Sequence, residues 1–233
     1  MRPIRFIHAA GLHLNSPYSG LRDPGASVDE RLRAAPFEAF RNLQALCESE
    51  APDFLLVAGG VFDLADRSVH AQLAFRDGLA AITGAGTPVY LAHGKNDPAA
   101  AWLPAIDWPD GVHVMGGRPE WWPVIKDDEM IARVQGVSQL SSSLTQTAAS
   151  DFHEATNAEV FALGLVSEIA VPEQVSSDPF EGLPDLHYWA LGSPRDGAPE
   201  SDQSRRVLAT GPVQALSPQQ TGPHGCYLVV LPT

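Results

Sequence analysis

Residues 53–63, Asp-Phe-Leu-Leu-Val-Ala-Gly-Gly-Val-Phe-Asp, constrain what this chain can fold into more than any other stretch. Five consecutive apolar residues without polar alternation form a run of strand length, which reads as a strand buried on both faces of a largely parallel sheet. The run stops at Gly59-Gly60, so the strand delivers a loop to the carboxyl edge of its sheet. Open α/β sheets place their chemistry at that edge.

The flanking sequence repeats the pattern twice. Residues 4–8 are a short apolar strand leading into the loop 9–17, and residues 88–92 are a third strand running into His93-Gly94-Lys95-Asn96-Asp97-Pro98. Between them, residues 29–50 carry Leu32, Phe37, Phe40, Leu43, Leu46 and Cys47 near helical spacing, with Pro36 tolerable only toward the first turns. A second helix over 67–83 presents Val69, Leu73, Phe75, Leu79 and Ile82 and closes at Gly84-Ala85-Gly86. Three strand-loop units separated by two helices make a right-handed βαβαβ half with all three loops at one edge.

The later sequence reads as shorter strands at 112–115, 121–125, 130–137, 160–166, 186–191, 207–210 and 226–231. Residues 138–153 are a surface loop or short polar helix, and 193–204 a polar loop. The expected fold is α/β: two mixed β-sheets packed as a sandwich flanked by helices, a single domain over 1–233, parallel in its first half and more antiparallel in its second.

A net charge of −13 repels a phosphate backbone unless the basic residues are gathered on one face, and Arg31, Arg33 and Arg41 are interleaved with Glu30, Glu38, Glu48 and Glu50. Nucleic acid is therefore not the expected partner. Cys47 and Cys226 read as free core thiols, which suits a reducing cytoplasm. No apolar run reaches the roughly 18 to 20 residues that span a bilayer, and the first residues lack an apolar signal core.

Four loops taken in order carry a resemblance. Phe6 to Leu14, Val57-Ala58-Gly59-Gly60-Val61-Phe62-Asp63, His93-Gly94-Lys95-Asn96-Asp97, and Tyr188 to Arg195 resemble the ordered motifs of the calcineurin-like metallophosphoesterases. The likeness is nearer to their DNA-repair exonuclease branch, the SbcD-type nucleases, and extends to Arg41-Asn42-Leu43, Gln72 to Leu79 and Gly225 to Val229. The family's motifs run Asp-x-His, Gly-Asp-x-x-Asp, Gly-Asn-His-Asp, a later lone His, and Gly-His-x-His. The resemblance implies a sandwich fold and a centre of two Mn or similar divalent ions activating a water.

The ligand positions depart from that pattern. Gly11 stands for the first aspartate while His13 keeps its partner's place; Gly60 stands for the bridging aspartate while Asp63 keeps the outer one. Lys95 replaces the amide ligand and Asn96 the acid-base histidine, with Asp97 retained. The lone histidine is missing near Ala162 to Val166, and Ser193 and Arg195 replace both histidines of the last motif. His13 is then the one direct ligand position kept, as an exposed imidazole, and one imidazole does not hold two ions. The expectation is no metal and no cofactor, with the Lys95 ammonium satisfying Asp63, Asp97 or both in place of the cations.

Plainer readings apply to the remaining polar residues. His13 is foremost a loop residue, His8 and His93 are satisfied core or edge histidines, and His70, His113, His153, His187 and His224 have no partners at metal-ligand spacing. Asp63 is a loop brace, and neither Ser16 nor Ser193 has a His/Asp arrangement that makes a triad. Gly59-Gly60 makes no phosphate cradle by itself, and Trp121-Trp122 is a contact patch or a core edge under a loop.

The expected function is a catalytically inactive metallophosphoesterase-like protein, without the family's capping and partner-docking extensions. It would serve as a binding or regulatory module, beside a protein partner such as a nuclease or its ATPase. The alternatives are a phosphoesterase or nuclease with a metal site rebuilt around His13, and a non-catalytic nucleic-acid-binding module.

Overall fold

The computed structural model describes residues 2–23, 25–66, 68–141, 151–155, 159–168, 182–192, 202 and 206–232. Among these the elements run β1 (Ile4–Ala9), α1 (Ala26–Glu50), β2 (Phe54–Ala58), α2 (Val69–Gly84), β3 (Val89–Ala92), β4 (Val112–Val114), β5 (Glu120–Lys126), β6 (Glu129–Val137), β7 (Phe161–Val166), β8 (Tyr188–Leu191), β9 (Val207–Ala209) and β10 (Tyr227–Leu231). They make two five-stranded sheets, ordered β10-β1-β2-β3-β4 and β5-β6-β7-β8-β9.

Period-two alternation sets the layers. In β2, Phe54, Leu56 and Ala58 turn into the space between the sheets, where they meet Val134, Leu163, Leu165, Tyr188 and Ala190. Leu55 and Val57 turn the other way, onto the helices. All five residues are buried, which explains why the run is continuously apolar.

The helices cover the first sheet through narrow faces. α1 buries Phe40, Leu43 and Cys47, and α2 buries Ala71, Phe75, Gly78, Leu79 and Ile82. Burying an aromatic such as Phe40 or Phe75 stabilises the fold by roughly 1.5–3 kcal/mol. Gly78 is where the two helices approach: a Cβ there would stand 2.3 Å from Phe40 Cε1. Ser68 starts α2 by accepting the N–H of Ala71 at 3.1 Å. On the outer face of the second sheet, Phe152 packs edge-on to Trp189 with ring centroids 4.9 Å apart.

Several expectations need correction. α1 continues through Pro36, which is buried inside it, although proline leaves the Leu32 carbonyl without its helical donor. Val69 and Leu73 are exposed, because the buried stripe of α2 runs through Ala71, Phe75 and Leu79. The second half is not predominantly antiparallel. β6, β7, β8 and β9 are mutually parallel, and among the described strands of this sheet only β5 pairs antiparallel, with β6. The Asp127-Asp128 turn explains the exception: both residues have positive φ, 53° and 62°, the conformation of a tight two-residue hairpin. The connections β6–β7, β7–β8 and β8–β9 are of crossover length, as parallel pairing demands.

Cys47 is buried, Cys226 is half-buried, and both are free thiols. Burial, with the nearby Cys226, pushes the Cys47 thiol up to about 12. Among the described residues no helix is long and apolar enough to cross a membrane.

Candidate functional site

The carboxyl ends of β1, β2 and β3 bring their loops together, and the loop after β7 comes down on them from the second sheet. The β1 and β2 loops are joined residue by residue through their backbones. Gly11 N–H donates to the Gly59 carbonyl at 3.0 Å, His13 N–H to Gly60 at 2.9 Å and Leu14 N–H to Val61 at 2.9 Å. This ladder requires positive φ at Gly11, Gly59 and Gly60 (61°, 71° and 70°), a region that favours glycine. A Cβ on Gly60 would stand 2.9 Å from Gly11 Cα and 3.8 Å from His13 Nε2.

Asp97 ties the third loop to the second. Its Oδ1 accepts the N–H groups of Gly60 at 2.9 Å and Gly94 at 3.0 Å, and its Oδ2 accepts that of Val61 at 3.0 Å. The side chain is wholly buried, and loss of hydration pushes its carboxyl up to about 7 against the opposing effect of these donors. Asp63 is buried too; its Oδ1 accepts the Ala65 N–H at 3.4 Å, and its own N–H reaches Asn15 Oδ1 at 3.4 Å.

The Lys95 ammonium does not take up the role expected of it. It pairs with Glu168 Oε2 at 3.3 Å, with 53% of its side chain exposed, while Asp97 is satisfied by backbone donors. Glu168 and Ser167 directly follow β7. They are the site residues that motif reasoning misses, and their place just past an apolar strand was the available signal. Ser167 is wedged against the β2 and β3 loops, since a Cβ on either Gly59 or Gly94 would come within 2.5 Å of its Oγ. The Lys95–Glu168 pair and Ser167 lie between two recesses of about 260 Å³ each, counting the solvent at their mouths. One is lined by His13, Gly60, Asn96 and Asp97, the other by His93, Val137, Gln139 and Val166.

The histidines are placed by the fold. His13 is buried, not exposed as expected, in left-handed backbone with φ 44°. His8 spans the two sheets: its Nδ1 meets Tyr188 Oη at 2.9 Å and its Nε2 meets the Leu191 carbonyl at 3.0 Å. A carbonyl only accepts, so Nε2 carries the proton and Tyr188 donates to Nδ1. His93 lies among the rings of Trp102 and Trp108 with Nδ1 buried and without a hydrogen-bond partner among the described residues, so it is a core histidine but not a satisfied one. Burial lowers both His8 and His93 to about 3. The structure gathers His13, Gly60, Lys95, Asn96 and Asp97 around one cleft, with Gly11 against Gly60, while Asp63 is bonded to Asn15 and Ala65; Ser193 and Arg195 lie outside the described residues.

A centre of two divalent ions needs a bridging carboxylate with further carboxylate, amide and imidazole donors. The residues present do not fit it: Gly11 and Gly60 have no side-chain donor, Lys95 brings a cation, and Asp97 spends its oxygens on backbone N–H groups.

The fold is an α/β sandwich with its candidate site at the carboxyl ends of the strands. The chain is 31% identical over 237 aligned residues to YhaO of Bacillus subtilis (strain 168), described as an uncharacterized metallophosphoesterase. That alignment covers 97% of this chain but 57% of YhaO, so the chain spans little more than half of that relative's length. No family model matches. Two solved structures are similar to it only loosely. TT1561 of Thermus thermophilus has a TM-score of 0.48 at 9% identity, covering 89% of each chain. A second has a TM-score of 0.44 at 13% identity, covering 90% of each. At these scores the likeness does not bear on function.

Proposed function

We propose that this chain is a relative of the SbcD-type DNA-repair exonucleases that has lost its two-metal centre and works as a binding or regulatory module in the cytoplasm, on a protein partner of the nuclease or ATPase kind. One observation carries the reading. Where the bridging carboxylate would stand, the β1 and β2 loops are hydrogen-bonded to one another, with Gly60 Cα facing Gly11 too closely for a side chain between them. Lys95 and Asn96 support it, since one adds positive charge where cations would bind and the other removes an acid-base group.

The test is metal content and turnover together. Purified chain loaded with Mn²⁺ and desalted is expected to carry far less than one ion per chain and to leave a generic phosphodiester uncleaved. Two ions per chain with hydrolysis would overturn the proposal. Hydrolysis that disappears in His13→Ala would establish the rebuilt-site alternative, and nucleic-acid binding that weakens steeply with salt would establish the third reading.

A further inference from the structure

Lys95 and Glu168 form a strap across the cleft. Lys95 lies in the loop after β3 of the first sheet and Glu168 in the loop after β7 of the second, and their ion pair at 3.3 Å ties the two loops together. Both residues line both recesses, so the pair is the partition between them. The lysine side chain is 53% exposed and the glutamate 19%, which leaves the ammonium open to solvent and the carboxylate mostly covered. An ion pair this open to water adds little to stability. Ser167 already wedges the β7 loop against Gly59 and Gly94, so the fold does not need the pair to hold that loop in place.

On one side of the partition, a single recess is lined by Lys95, His13, Asn96, Ser167 and Glu168. His13 turns Nε2 toward it, since a Cβ on Gly60 would stand 3.8 Å from that atom, and Ser167 Oγ lies 2.5 Å from where a Cβ on Gly59 would be. An ammonium, an amide and a hydroxyl there can all donate to an anion. Asp97 also lines the recess, but its oxygens are taken by the N–H groups of Gly60, Val61 and Gly94. Lys95 is the one ammonium or guanidinium among the described residues lining either recess, so a single negative charge matches it, whereas a phosphate brings further charge beside Glu168. The group now on Lys95 is itself a carboxylate. A second carboxylate that takes its place needs no larger recess, because Glu168 turns out as it enters.

We infer that the cleft is a carboxylate-binding site closed by its own glutamate: an incoming carboxylate displaces Glu168 from Lys95 and is held by the Lys95 ammonium beside Asn96 and Ser167. The inference rests on the reading of the cleft as free of metal, and it gives the partner a chemistry. The carboxylate comes from an acidic side chain of a protein or from a small organic acid.

The test is an NMR titration of the whole isotope-labelled chain, washed with chelator, using acetate and, separately, an acetylated and amidated Gly-Glu-Gly peptide. The backbone amide shifts of Gly94, Lys95 and Ser167 are expected to saturate together, and the tighter of the two probes identifies the source of the carboxylate. Glu168→Gln removes the internal competitor and should tighten binding by about threefold or more. Lys95→Met should abolish saturation, and inorganic phosphate should bind more weakly than acetate. The same spectra show that each variant is folded. No saturation at the three amides, binding unchanged or weakened in Glu168→Gln, saturation that survives in Lys95→Met, or tighter binding of phosphate would each overturn the proposal. Retained Mn²⁺ with hydrolysis would overturn the metal-free reading by its own measurement, whereas failure of carboxylate binding on a chain shown to be free of metal overturns this proposal alone.

Discussion

Gly60 donates its backbone N–H to Asp97 Oδ1 at 2.9 Å, so the residue standing in for a bridging ligand is held in place by one that faces away from solvent. With Gly94 and Val61 on the same carboxylate, Asp97 is the brace of the whole loop cluster. Asp97→Asn keeps one oxygen acceptor and sets an NH₂ group against a donor. It should cost about 1–3 kcal/mol in urea unfolding at neutral pH. The sign of the pH effect follows from a carboxyl raised from 3.8 to about 7. Its contribution is fully present below the unfolded value and is lost as pH rises through about 7. That decline should vanish in the asparagine variant.

His8 and His93 act in the opposite direction. Burial lowers each from 6.5 to about 3, so the stability they contribute is present above 6.5 and lost as pH falls toward 3. The two variants should differ at neutral pH. Tyr188→Phe removes the donor to His8 Nδ1 and is expected to cost about 1 kcal/mol, whereas His93→Phe removes an unpaired buried group and should lie within about 1 kcal/mol of wild type. Urea unfolding at pH 5 and pH 8 would show the acid loss reduced in His93→Phe; an unchanged acid loss there would count against a buried neutral ring.

Restoring the bridging carboxylate alone should not restore metal. Gly60→Asp forces a Cβ to 2.9 Å from Gly11 Cα in backbone with φ 70°. The expected result is a loss of roughly 1–3 kcal/mol with no gain in Mn²⁺ content. Stoichiometric Mn²⁺ in that variant would mean that the loops open readily and that the ladder between them is no barrier.

Gly78→Ala sets helix propensity against packing. Alanine gains about 1 kcal/mol in a helix interior, but its methyl would meet Phe40 Cε1 at 2.3 Å. Overpacking of that kind costs about 1–3 kcal/mol. A net loss in thermal unfolding is therefore expected; a gain would show that Phe40 can turn aside.

Most of the architecture is legible in the residues, because apolar runs of strand length and two amphipathic stripes leave few alternatives. Phe54 to Ala58 comes out with the expected bounds, and every other expected strand is found to within two residues at either end. Direction in the second sheet was less accessible. It depends on which strands meet across long polar connections, and 160–166 reads the same whether its neighbour runs with it or against it. The cleft follows the same division. Gly11, Gly60 and Lys95 are conspicuous as departures from a motif, whereas Lys95's partner Glu168 comes from the other sheet, and no local pattern signals a contact between loops so far apart in sequence. Val69 and Leu73 show the limit of spacing arguments: they sit four apart, yet face outward because Ala71 and Phe75 take the core side.

The pairing of β1 with β10, Ile4 opposite Leu231, sets an order of events during synthesis. Of the described strands β1 is made first, and its parallel neighbour β2 follows soon after, but its other edge waits until nearly all the remaining described residues have been made. Contacts of such long sequence separation slow folding, and domains are built from the amino end. While β2 to β9 are being made, the nascent protein therefore exposes one unpaired edge of β1, the period in which a chaperone would have the most to protect.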